Sequence, residues 1–368
     1  MKYLLVAGAR PNFMKIAPIH RAFSSRRNGH STADVLLVHT GQHYGRNMSD
    51  DFFRDLCIPD PEINLDVGSG SHAEQTARIM MAFEPACLAH RPDWVIVVGD
   101  VNSTVACALT ARKLGVRVAH VEAGLRSRDM SMPEEINRLC TDAISDLLFT
   151  TDAQAVENLR KEGVAEARIH FVGNTMIDTL RQQIGRARQL PLPNGLTPAQ
   201  YAVLTLHRPA NVDSPDRLAP ILGAINAIAD RIPVVFPVHP RTAAGLNGIQ
   251  LHPGVRTVEP MSYLPFLSLV ASARMVLTDS GGIQEETTVL GVPCLTMRPN
   301  TERPITCEVG TNMLVGTDPQ RIMREAHWIL DGHARAGAIP EKWDGRAAER
   351  IVDILFSQPV HAPFLVGA

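Results

Sequence analysis

Several short apolar runs of this 368-residue chain are followed directly by acidic residues that could transfer protons. Asp100 comes just after the run 94–98, and Glu122 comes just after the run 116–121. Two carboxylates held at one sheet edge repel each other, which tunes one of them toward proton transfer near neutral pH. Capping of the next helix is the alternative for each residue. The pattern favours acid–base chemistry and leaves capping open.

Glu134 and Arg138 are a further acidic and a further basic residue. Pro133 marks a helix start in this segment, and the acids that follow fall in the first turn, where the helix dipole favours them. Glu134 and Arg138 are four residues apart, so a surface ion pair is the simplest interpretation, with a buried polar cluster near Glu122 as the alternative.

His207, directly after the run 203–206, is placed to carry a proton near neutral pH.

Other residues are suited to binding an anion. Arg10 and Lys15 follow a glycine turn after the run 3–7, and they either face an anion or are solvated. The strongest local signature passes from the apolar run 275–277 through Ser280-Gly281-Gly282 into a predicted helix. Bare backbone amides at a helix N-terminus bind phosphate groups, so this segment predicts a diphosphate site.

Two charged residues extend that anion site. Glu286 lies one turn into the predicted helix, from where it could bind a pair of ribose hydroxyls. Arg303 lies in the loop after the run 293–296, and its guanidinium group fits a phosphate with two hydrogen bonds.

The composition restricts the class of protein. Hydrophobic residues make up 45% of the chain and charged residues 20%, which is typical of a folded globular protein. Thirty-six Lys and Arg against 38 Asp and Glu give a formal charge of -2, so no positive excess attracts nucleic acid or an anionic membrane. The Rossmann, Walker and H-E-x-x-H motifs are absent, which argues against nicotinamide, kinase-type ATP use and zinc hydrolysis.

The cysteines and the apolar runs indicate a compartment. Six cysteines are scattered without a C-x-x-C pair, which indicates buried free thiols in a reducing environment. The cysteines are Cys57, Cys87, Cys107, Cys140, Cys294 and Cys307. No apolar run approaches the ~18 residues of a membrane span, and the first is too short for a signal sequence. We expect a cytoplasmic protein that contacts no membrane.

The elements that position these residues alternate in type. Short apolar runs fit strands buried on both faces, and the segments between them have helical length, so the pattern predicts β-α-β units with parallel sheets. The predicted strands are 3–7, 35–38, 94–98, 116–121 and 147–149, then 203–206, 234–236, 255–258, 275–277 and 293–296. Prolines and a glycine interrupt the segment 181–200, so we place the join of two doubly wound units within 175–200.

Segments spread along the chain match one known family in order, from residue 3 to about residue 316. They are GARPNFMKIAP, HTGQHY, GDVNST, HVEAGLRS, MPEEINR, VGNTMIDTL, LTLHR, LTDSGGIQEETTVLGVPCLTMR and NTERP. In these segments the chain resembles the non-hydrolysing UDP-N-acetylglucosamine 2-epimerases. So many colinear segments make a similarity by chance very improbable.

The resemblance implies a fold and a reaction. The fold is α/β of the GT-B class, two Rossmann-like doubly wound parallel-sheet domains facing across a cleft. The expected domains are 1–174 and a UDP-binding 175–344, with the helix at about 345–368 packing back on the first. The implied reaction interconverts UDP-GlcNAc and UDP-ManNAc by elimination of UDP to a 2-acetamidoglucal and re-addition, in a homodimer with no metal and no cofactor.

The resemblance also implies the roles of individual residues. Asp100, Glu122 and Glu134 form the acid–base group, with Arg138 and His207 beside them. Around the diphosphate it places Arg10, Lys15, His207, Ser280, Gly281, Gly282 and Arg303. Glu286 binds the ribose and Phe266 the uracil. Which carboxylate takes the C2 proton stays open.

Some positions depart from the family pattern. The first loop has Asn12 where members usually have glutamate, 209–210 lacks a common charged residue, and Ile305 replaces the usual acid. The stretch 42–45 reads Gln-His-Tyr-Gly, which differs from the loop of the allosteric UDP-GlcNAc site and argues against feedback by that compound. A variant sugar substrate, a hydrolysing epimerase, a GT-B glycosyltransferase and an inactive nucleotide-sugar-binding regulator remain as alternatives.

Overall fold

The computed structural model describes residues 1–27, 33–41, 54–193 and 195–359. The chain divides into two compact units. Unit 1 runs to Thr179 and resumes at Glu341, and unit 2 comprises Leu180–Pro340. The first boundary falls inside one continuous helix, Thr175–Ala187, whereas the sequence placed the boundaries at 174 and 344.

Unit 1 contains a parallel sheet whose described strands follow the order β3-β2-β1-β4-β5-β6-β7. The strands are β1 (Lys2–Ala7), β2 (Asp34–His39), β3 (Ile63–Asn64), β4 (Trp94–Val98), β5 (Arg117–Ala123), β6 (Leu147–Thr150) and β7 (Ile169–Phe171). The order reverses between β1 and β4, as it does in doubly wound sheets.

Unit 2 repeats this arrangement, with the order β10-β9-β8-β11-β12-β13. Its strands are β8 (Ala202–Thr205), β9 (Val234–Pro237), β10 (Val255–Val258), β11 (Met275–Thr278), β12 (Cys294–Thr296) and β13 (Asn312–Leu314). Here the reversal lies between β8 and β11.

Helices connect the strands and cover the sheets. They are α1 (Arg10–Arg27), α2 (His72–His90), α3 (Asn102–Lys113), α4 (Pro133–Ile144), α5 (Ala153–Lys161), α6 (Thr175–Ala187), α7 (Pro209–Val212), α8 (Pro215–Ala229), α9 (Pro240–Gly245), α10 (Tyr263–Ala271), α11 (Gly281–Leu290), α12 (Pro304–Glu308), α13 (Pro319–Leu330) and α14 (Ala347–Ser357), with a 3₁₀ turn at Glu166–Arg168. Among the described residues, no helix is both long and apolar enough to cross a membrane.

The apolar strands fold this way because successive side chains point to opposite faces of a sheet. In unit 2, Val203 and Val276 lie in one buried cluster, while Leu204 and Leu277 lie in another. Helices complete each cluster, so both faces of a central strand are buried. Such a strand must be apolar on both faces, and its sequence is therefore a continuous apolar run. The predicted α/β class with two doubly wound parallel sheets is confirmed.

Three short strands were missed, and all of them are edge strands. β3, β7 and β13 are two or three residues long and carry mixed side chains, IN, IHF and NML. An edge strand is covered on fewer sides, so its sequence need not be apolar throughout.

The cysteines are free, but the prediction that they are buried holds for only three of the six. Cys57 and Cys140 are exposed, and Cys307 is partly buried. Cys140 lies on the amphipathic helix α4, whose polar face is open to water.

Candidate active site

The candidate residues gather where each sheet reverses its strand order. In unit 1, Lys15 lies on α1, the helix that follows β1, and Asp100 follows β4, which pairs with β1. In unit 2, His207 follows β8 and Ser280 follows β11, which pairs with β8. The connections of such paired strands diverge to opposite faces of the sheet, which opens a crevice beyond their carboxyl ends. We call these two places the unit 1 site and the unit 2 site.

Glu122 has an unusual backbone conformation at the end of β5. Its φ is +72°, and the register with β6 shifts between Val121 and Ala123, as at a β-bulge. A positive φ in a residue other than glycine costs about 1–3 kcal/mol, and such strain is concentrated at functional sites. The side chain is 6% exposed and forms an ion pair with Lys15. β5 is therefore strained where it presents Glu122 to a buried ammonium group.

Gly99 provides the space for that ion pair. Its φ is +68°, and a Cβ here would lie 2.8 Å from Lys15 Nζ. Asn12 connects the same region, because its Oδ1 accepts the N–H of Ala9 at 2.9 Å and its Nδ2 donates to Val98 O at 3.1 Å. Asn12, one of the departures from the family pattern, thus joins the loop after β1 to the end of β4.

Asp100 is paired with Arg138 and does not cap a helix. Helix α3 begins at Asn102, and its N-cap residue Val101 makes no side-chain capping bond. The Asp100 side chain is 24% exposed, whereas that of Arg138 is 2% exposed. The capping alternative was therefore wrong for Asp100, whose carboxylate is accessible while its cation is buried.

Glu135 is the second partner of Arg138, so the expected Glu134–Arg138 pair was wrong. Glu135 Oε2 lies 2.6 Å from Arg138 Nη2, and Glu135 also accepts the N–H groups of Ser127 at 3.0 Å and Arg128 at 2.8 Å. Burial, the largest effect, favours the neutral acid, but these bonds hold the pKa of Glu135 below its ordinary value. Glu134 is partly buried and has no ion-pair partner among the described residues.

A histidine–aspartate pair stands at the unit 2 site. His207 Nδ1 lies 2.8 Å from Asp279 Oδ1, with side-chain exposures of 42% and 0%. Asp279 also accepts the N–H of Arg208 at 2.9 Å and the amide of Asn211 at 3.2 Å. Burial, the largest effect, would raise the pKa of Asp279, but the hydrogen bond and charge of His207 hold it below its ordinary value. An ionised Asp279 keeps a proton on Nδ1, which leaves Nε2 to exchange protons with another group.

Sequence reasoning assigned no role to Asp279, although the signal was available. Asp279 comes directly after a buried strand, as Asp100 does. Glu135 was missed for another reason, since its partners Ser127 and Arg128 are loop residues that only the fold brings to it.

Helix α11 begins directly after β11 and points its first turn into the unit 2 site. Its N-cap Ser280 makes no side-chain capping bond. The N–H groups at the start of a helix have no partner within the helix and can bind a phosphate group. A Cβ at Gly281 would lie 2.7 Å from both Arg303 Nη1 and Glu302 Oε1. Glycine is thus what brings the helix start against the Arg303 guanidinium.

Arg303 is held by buried carboxylates. Its Nε lies 2.9 Å from Glu285 Oε1, and it forms an ion pair with Glu302. Glu302 lies 2.8 Å from Arg298 Nη2 and 3.9 Å from Arg208 Nη2. Burial opposes ionisation most strongly, but these arginines hold the pKa of Glu302 far below its ordinary value. Three guanidinium groups therefore face two carboxylates beside the start of α11.

Glu286 is buried one turn into α11. It accepts the Tyr263 hydroxyl at 3.1 Å. Burial, opposed by that hydrogen bond and reinforced by the charge of Glu285, raises the pKa of Glu286 to about 7. Tyr263 begins α10, which also carries the partly buried Phe266. The residues predicted for ribose and uracil are thus on helices that contact each other.

We expect Glu286→Gln to change how stability depends on pH. A carboxyl with a pKa of 4.5 unfolded and about 7 folded binds more protons in the folded state. It therefore costs the wild type up to about 3 kcal/mol of unfolding free energy as pH rises through 7. Denaturant unfolding at pH 5, 6, 7 and 8 should show the wild type losing stability relative to the variant as pH rises. The exposed Glu259→Gln is the control, and a pH-independent difference for Glu286→Gln would contradict the prediction.

The structure places most predicted residues at the two sites. The unit 1 site contains Lys15, Asp100, Glu122 and Arg138, and Glu134 lies in the first turn of the helix that carries Arg138. The unit 2 site contains His207, Ser280, Gly281, Gly282, Glu286 and Arg303. Arg10 begins α1, but its side chain and the stretch 42–45 lie outside the described part of the structure. In the described ranges, no group of three or more His, Cys, Asp or Glu side chains is placed to hold a metal ion.

Comparison with known proteins decides the family. A family model described as UDP-N-acetylglucosamine 2-epimerase matches residues 26–356. The chain belongs to the UDP-N-acetylglucosamine 2-epimerase family. This membership confirms the resemblance read from the sequence motifs.

Relatives of this epimerase family member cover nearly its whole length. The UDP-N-acetylglucosamine 2-epimerase of Methanocaldococcus jannaschii is 40% identical over 96% of this chain and 99% of its own. The UDP-2,3-diacetamido-2,3-dideoxy-D-glucuronate 2-epimerase of Pseudomonas aeruginosa is 41% identical over 96% of this chain and 99% of its own.

Solved structures of the family match the fold. The crystal structure of the M. jannaschii UDP-GlcNAc 2-epimerase, in complex with UDP-GlcNAc and UDP, has a TM-score of 0.88 at 40% identity and covers 97% of this chain and 100% of its own. The Neisseria meningitidis enzyme bound to UDP-GlcNAc has a TM-score of 0.85 at 28% identity, with coverages of 97% and 100%. The GT-B fold class expected for this epimerase family member is confirmed.

Proposed function

We propose that this family member interconverts UDP-GlcNAc and UDP-ManNAc and releases no free sugar. The observation that carries the proposal is the strained, buried Glu122, held beside Lys15 at the switch point where Asp100 and Arg138 also meet. Acid–base groups at such a crevice, in a chain of this family, support a proton-transfer reaction on a nucleotide sugar.

The proposed reaction is an elimination followed by an addition. The C2 proton of the sugar has no neighbouring carbonyl to acidify it, so its removal depends on departure of UDP from C1. The C1–O bond breaks with its electron pair going to UDP, a base takes the C2 proton, and a C1=C2 double bond forms in 2-acetamidoglucal. UDP then adds back to C1 while C2 is protonated from the other face.

Inversion at C2 needs a proton acceptor on one face and a donor on the other. We assign these roles to Glu122 and Asp100, because each has its own cation, Lys15 and Arg138, to hold it in place. Glu134, which forms no ion pair in the described structure, is the third carboxylate and would stabilise positive charge developing at C1.

Unit 2 is proposed to bind the UDP group. The first turn of α11 and Arg303 would take the diphosphate, Glu286 the ribose and Phe266 the uracil. His207 would bind or protonate the departing diphosphate through Nε2, since Asp279 occupies Nδ1. In this assignment the cationic groups of unit 2 bind the leaving group, and the residues of the unit 1 site carry out the proton transfers at C2.

The decisive experiment is incubation of the protein with UDP-GlcNAc in deuterium oxide. NMR should show UDP-ManNAc with deuterium at C2 and no free sugar. Formation of free ManNAc and UDP would identify the hydrolysing alternative, and acceptor-dependent release of UDP would identify a glycosyltransferase. No C2 exchange with any UDP-HexNAc would overturn the proposal.

One comparison adds a second candidate substrate. The P. aeruginosa UDP-2,3-diacetamido-2,3-dideoxy-D-glucuronate 2-epimerase is as similar to this chain as the UDP-GlcNAc 2-epimerases are, 41% against 40%. Overall identity therefore does not select between these sugars. The ratio of kcat/KM for UDP-GlcNAc and for the diacetamido glucuronate decides which one this protein uses.

Replacing Gly281 by alanine is expected to weaken UDP binding about tenfold or more, a free-energy change of about 1.4 kcal/mol. The new methyl group would lie 2.7 Å from the Arg303–Glu302 ion pair, which buried neighbours keep from moving aside. Titration calorimetry with UDP measures the effect. Gly223→Ala is the matched control, because a Cβ at Gly223 meets nothing within 4 Å. Equal affinities of the two variants would contradict the assignment.

The family resemblance further supports a homodimer and a cytoplasmic location. We propose both, and light scattering on the purified protein measures the first. A monomer at micromolar concentration would argue against the dimer.

A further inference from the structure

A row of four charged side chains lies at the end of β5 and has no role in the chemistry proposed above. His120 Nδ1 lies 2.6 Å from Asp142 Oδ1, Asp142 Oδ2 lies 2.7 Å from Arg126 Nη2, and Arg126 Nη2 lies 2.6 Å from Glu162 Oε2. The side chains of His120 and Asp142 are 0% and 2% exposed. Burying charged groups is unfavourable unless they are paired, and each member of this row faces an acidic or basic partner.

Both ring nitrogens of His120 have hydrogen-bond partners. His120 Nε2 lies 2.8 Å from Gly99 O, which can only accept a hydrogen bond. Burial, the largest effect, favours a neutral Asp142, but the charges of His120 and Arg126 hold the pKa of Asp142 below its ordinary value. A backbone carbonyl and a carboxylate can both accept, so both ring nitrogens of His120 face acceptors. Along the row, His120 and Arg126 alternate with the carboxylates of Asp142 and Glu162.

Asp142 binds the chain on both sides of Glu122. Its Oδ1 faces His120, two residues before Glu122, and its Oδ2 accepts the N–H of Gly124 at 3.0 Å, two residues after it. Gly124 has a φ of +80°, and a Cβ there would lie 2.4 Å from Ala155 O. The turn that carries Glu122 is thus anchored at both ends to one carboxylate.

His120 also fixes Gly99, the residue before Asp100. Gly99 O accepts from His120 Nε2, and Gly99 N donates to Val121 O at 3.0 Å. The backbone of Gly99 is therefore bound to the two residues that precede Glu122. The Lys15 ammonium lies against Gly99. His120 therefore fixes the backbone next to Lys15, at Gly99, and it is itself part of the strand that carries Glu122.

We propose that His120 and Asp142 are positioning residues whose buried contact holds Glu122 in its left-handed conformation and its carboxylate against Lys15. The inference rests on the proposed function for its kinetic consequence. A positive φ at a residue such as Glu122 is unfavourable and persists only where the surroundings enforce it. A catalytic group displaced by about 1 Å loses about 100-fold in rate.

The kinetic test uses His120→Gln, which retains a donor for Gly99 O but removes the ring nitrogen that faces Asp142. The expected result is a loss of about 100-fold in kcat for epimerisation, with KM and the UDP Kd changed less than about threefold. In the Glu122→Gln background, the same substitution should slow C2 exchange no further, because its effect passes through Glu122. Effects that multiply in the double variant, or a kcat within twofold of wild type, would overturn the proposal.

Asp178→Asn is the matched control. Asp178 is another buried carboxylate of unit 1, and it accepts the N–H groups of Ala347 and Ala348 at 3.1 and 2.7 Å. Its loss should lower the melting temperature and leave kcat unchanged. If His120→Gln does not fold, Asp142→Asn serves instead, since it removes the charge with almost no change in volume, and it should lower kcat with the same pattern.

A crystal structure of His120→Gln tests the positioning without any turnover. We expect Glu122 to leave the positive-φ region and to separate from Lys15. A φ near the +72° of the wild type, with the Lys15 pair intact, would overturn the proposal. If the wild-type protein exchanges no C2 hydrogen, the proposed function fails by itself, and this structure still decides the role of His120 and Asp142.

Discussion

Glu122→Gln is expected to lower the rate of C2 hydrogen exchange about 1000-fold while UDP still binds. Glutamine preserves the shape of the side chain and can occupy the space beside Lys15, but it neither accepts nor delivers the C2 proton. General acid–base groups contribute about 10²–10⁴-fold to enzymatic rates. Deuterium incorporation from D₂O into UDP-GlcNAc, followed by NMR, measures the exchange directly and does not depend on net epimerisation.

The control for this prediction is a glutamate with no role in the site. Glu157 is on helix α5, 47% exposed and paired with Lys161, so Glu157→Gln should exchange at the wild-type rate. The UDP affinity of Glu122→Gln should stay within about threefold of wild type, because UDP binding is assigned to unit 2. Retention of more than a tenth of the exchange rate would remove Glu122 from the acid–base group.

Asp279→Asn is expected to lower kcat by about 10²–10⁴-fold, although Asp279 contacts no substrate in the proposed mechanism. Its two oxygens receive donors from His207, Arg208 and Asn211. An amide would oppose at least one of these donors with its own NH₂ group and would no longer hold the proton on His207 Nδ1. Replacing the aspartate of a His–Asp pair by asparagine in this way costs about 10⁴-fold in the serine proteases.

The measurement is the pair kcat and KM for UDP-GlcNAc across pH 6–9. If the substitution changes the tautomer of His207, kcat should fall far more than KM rises, and the dependence of kcat on pH should change. If it only destabilises the fold, kcat and its pH dependence should both stay unchanged at a temperature well below unfolding. Asp213→Asn removes the same charge from a half-exposed ion pair with Arg241 in the same unit, and its kinetics should be those of wild type. An unchanged pH profile in Asp279→Asn would show that His207 carries no proton in the reaction.

Some features of the residues in these two predictions are visible in the sequence, and others only in the structure. Glu122 could be proposed from the sequence, because it follows a buried strand. Its positive φ and its ion pair with Lys15 could not, because they depend on the bulge between β5 and β6 and on a helix 107 residues earlier in the chain. Lys15 was expected at the diphosphate from its position after a glycine turn, and its ion pair with Glu122 could not be foreseen from that position.

Arg138 shows the same limit. Spacing alone favoured Glu134 as its partner, since residues four apart share a helix face. The fold instead brings Asp100 from the end of β4 and fixes Glu135 through the loop of Ser127 and Arg128. Local spacing describes which pairs are possible on one helix, whereas long-range contacts decide which of them forms.

The sequence by itself determined the α/β class, the two sheets and the sheet edges at which the candidate residues lie. Apolar runs mark central strands because those strands are buried on both faces, and polar residues just after such runs must reach the carboxyl ends of the strands. Family membership was also visible in the colinear motifs.

Only the tertiary structure decided the short edge strands, the ion-pair partners of Lys15 and Arg138, and the two histidine–aspartate pairs. The His207–Asp279 pair joins residues 72 positions apart, and His120–Asp142 joins residues 22 apart. The physical reason is that charge pairing in a buried site depends on three-dimensional distance and desolvation, and neither is encoded in the local periodicity that identifies strands and helices.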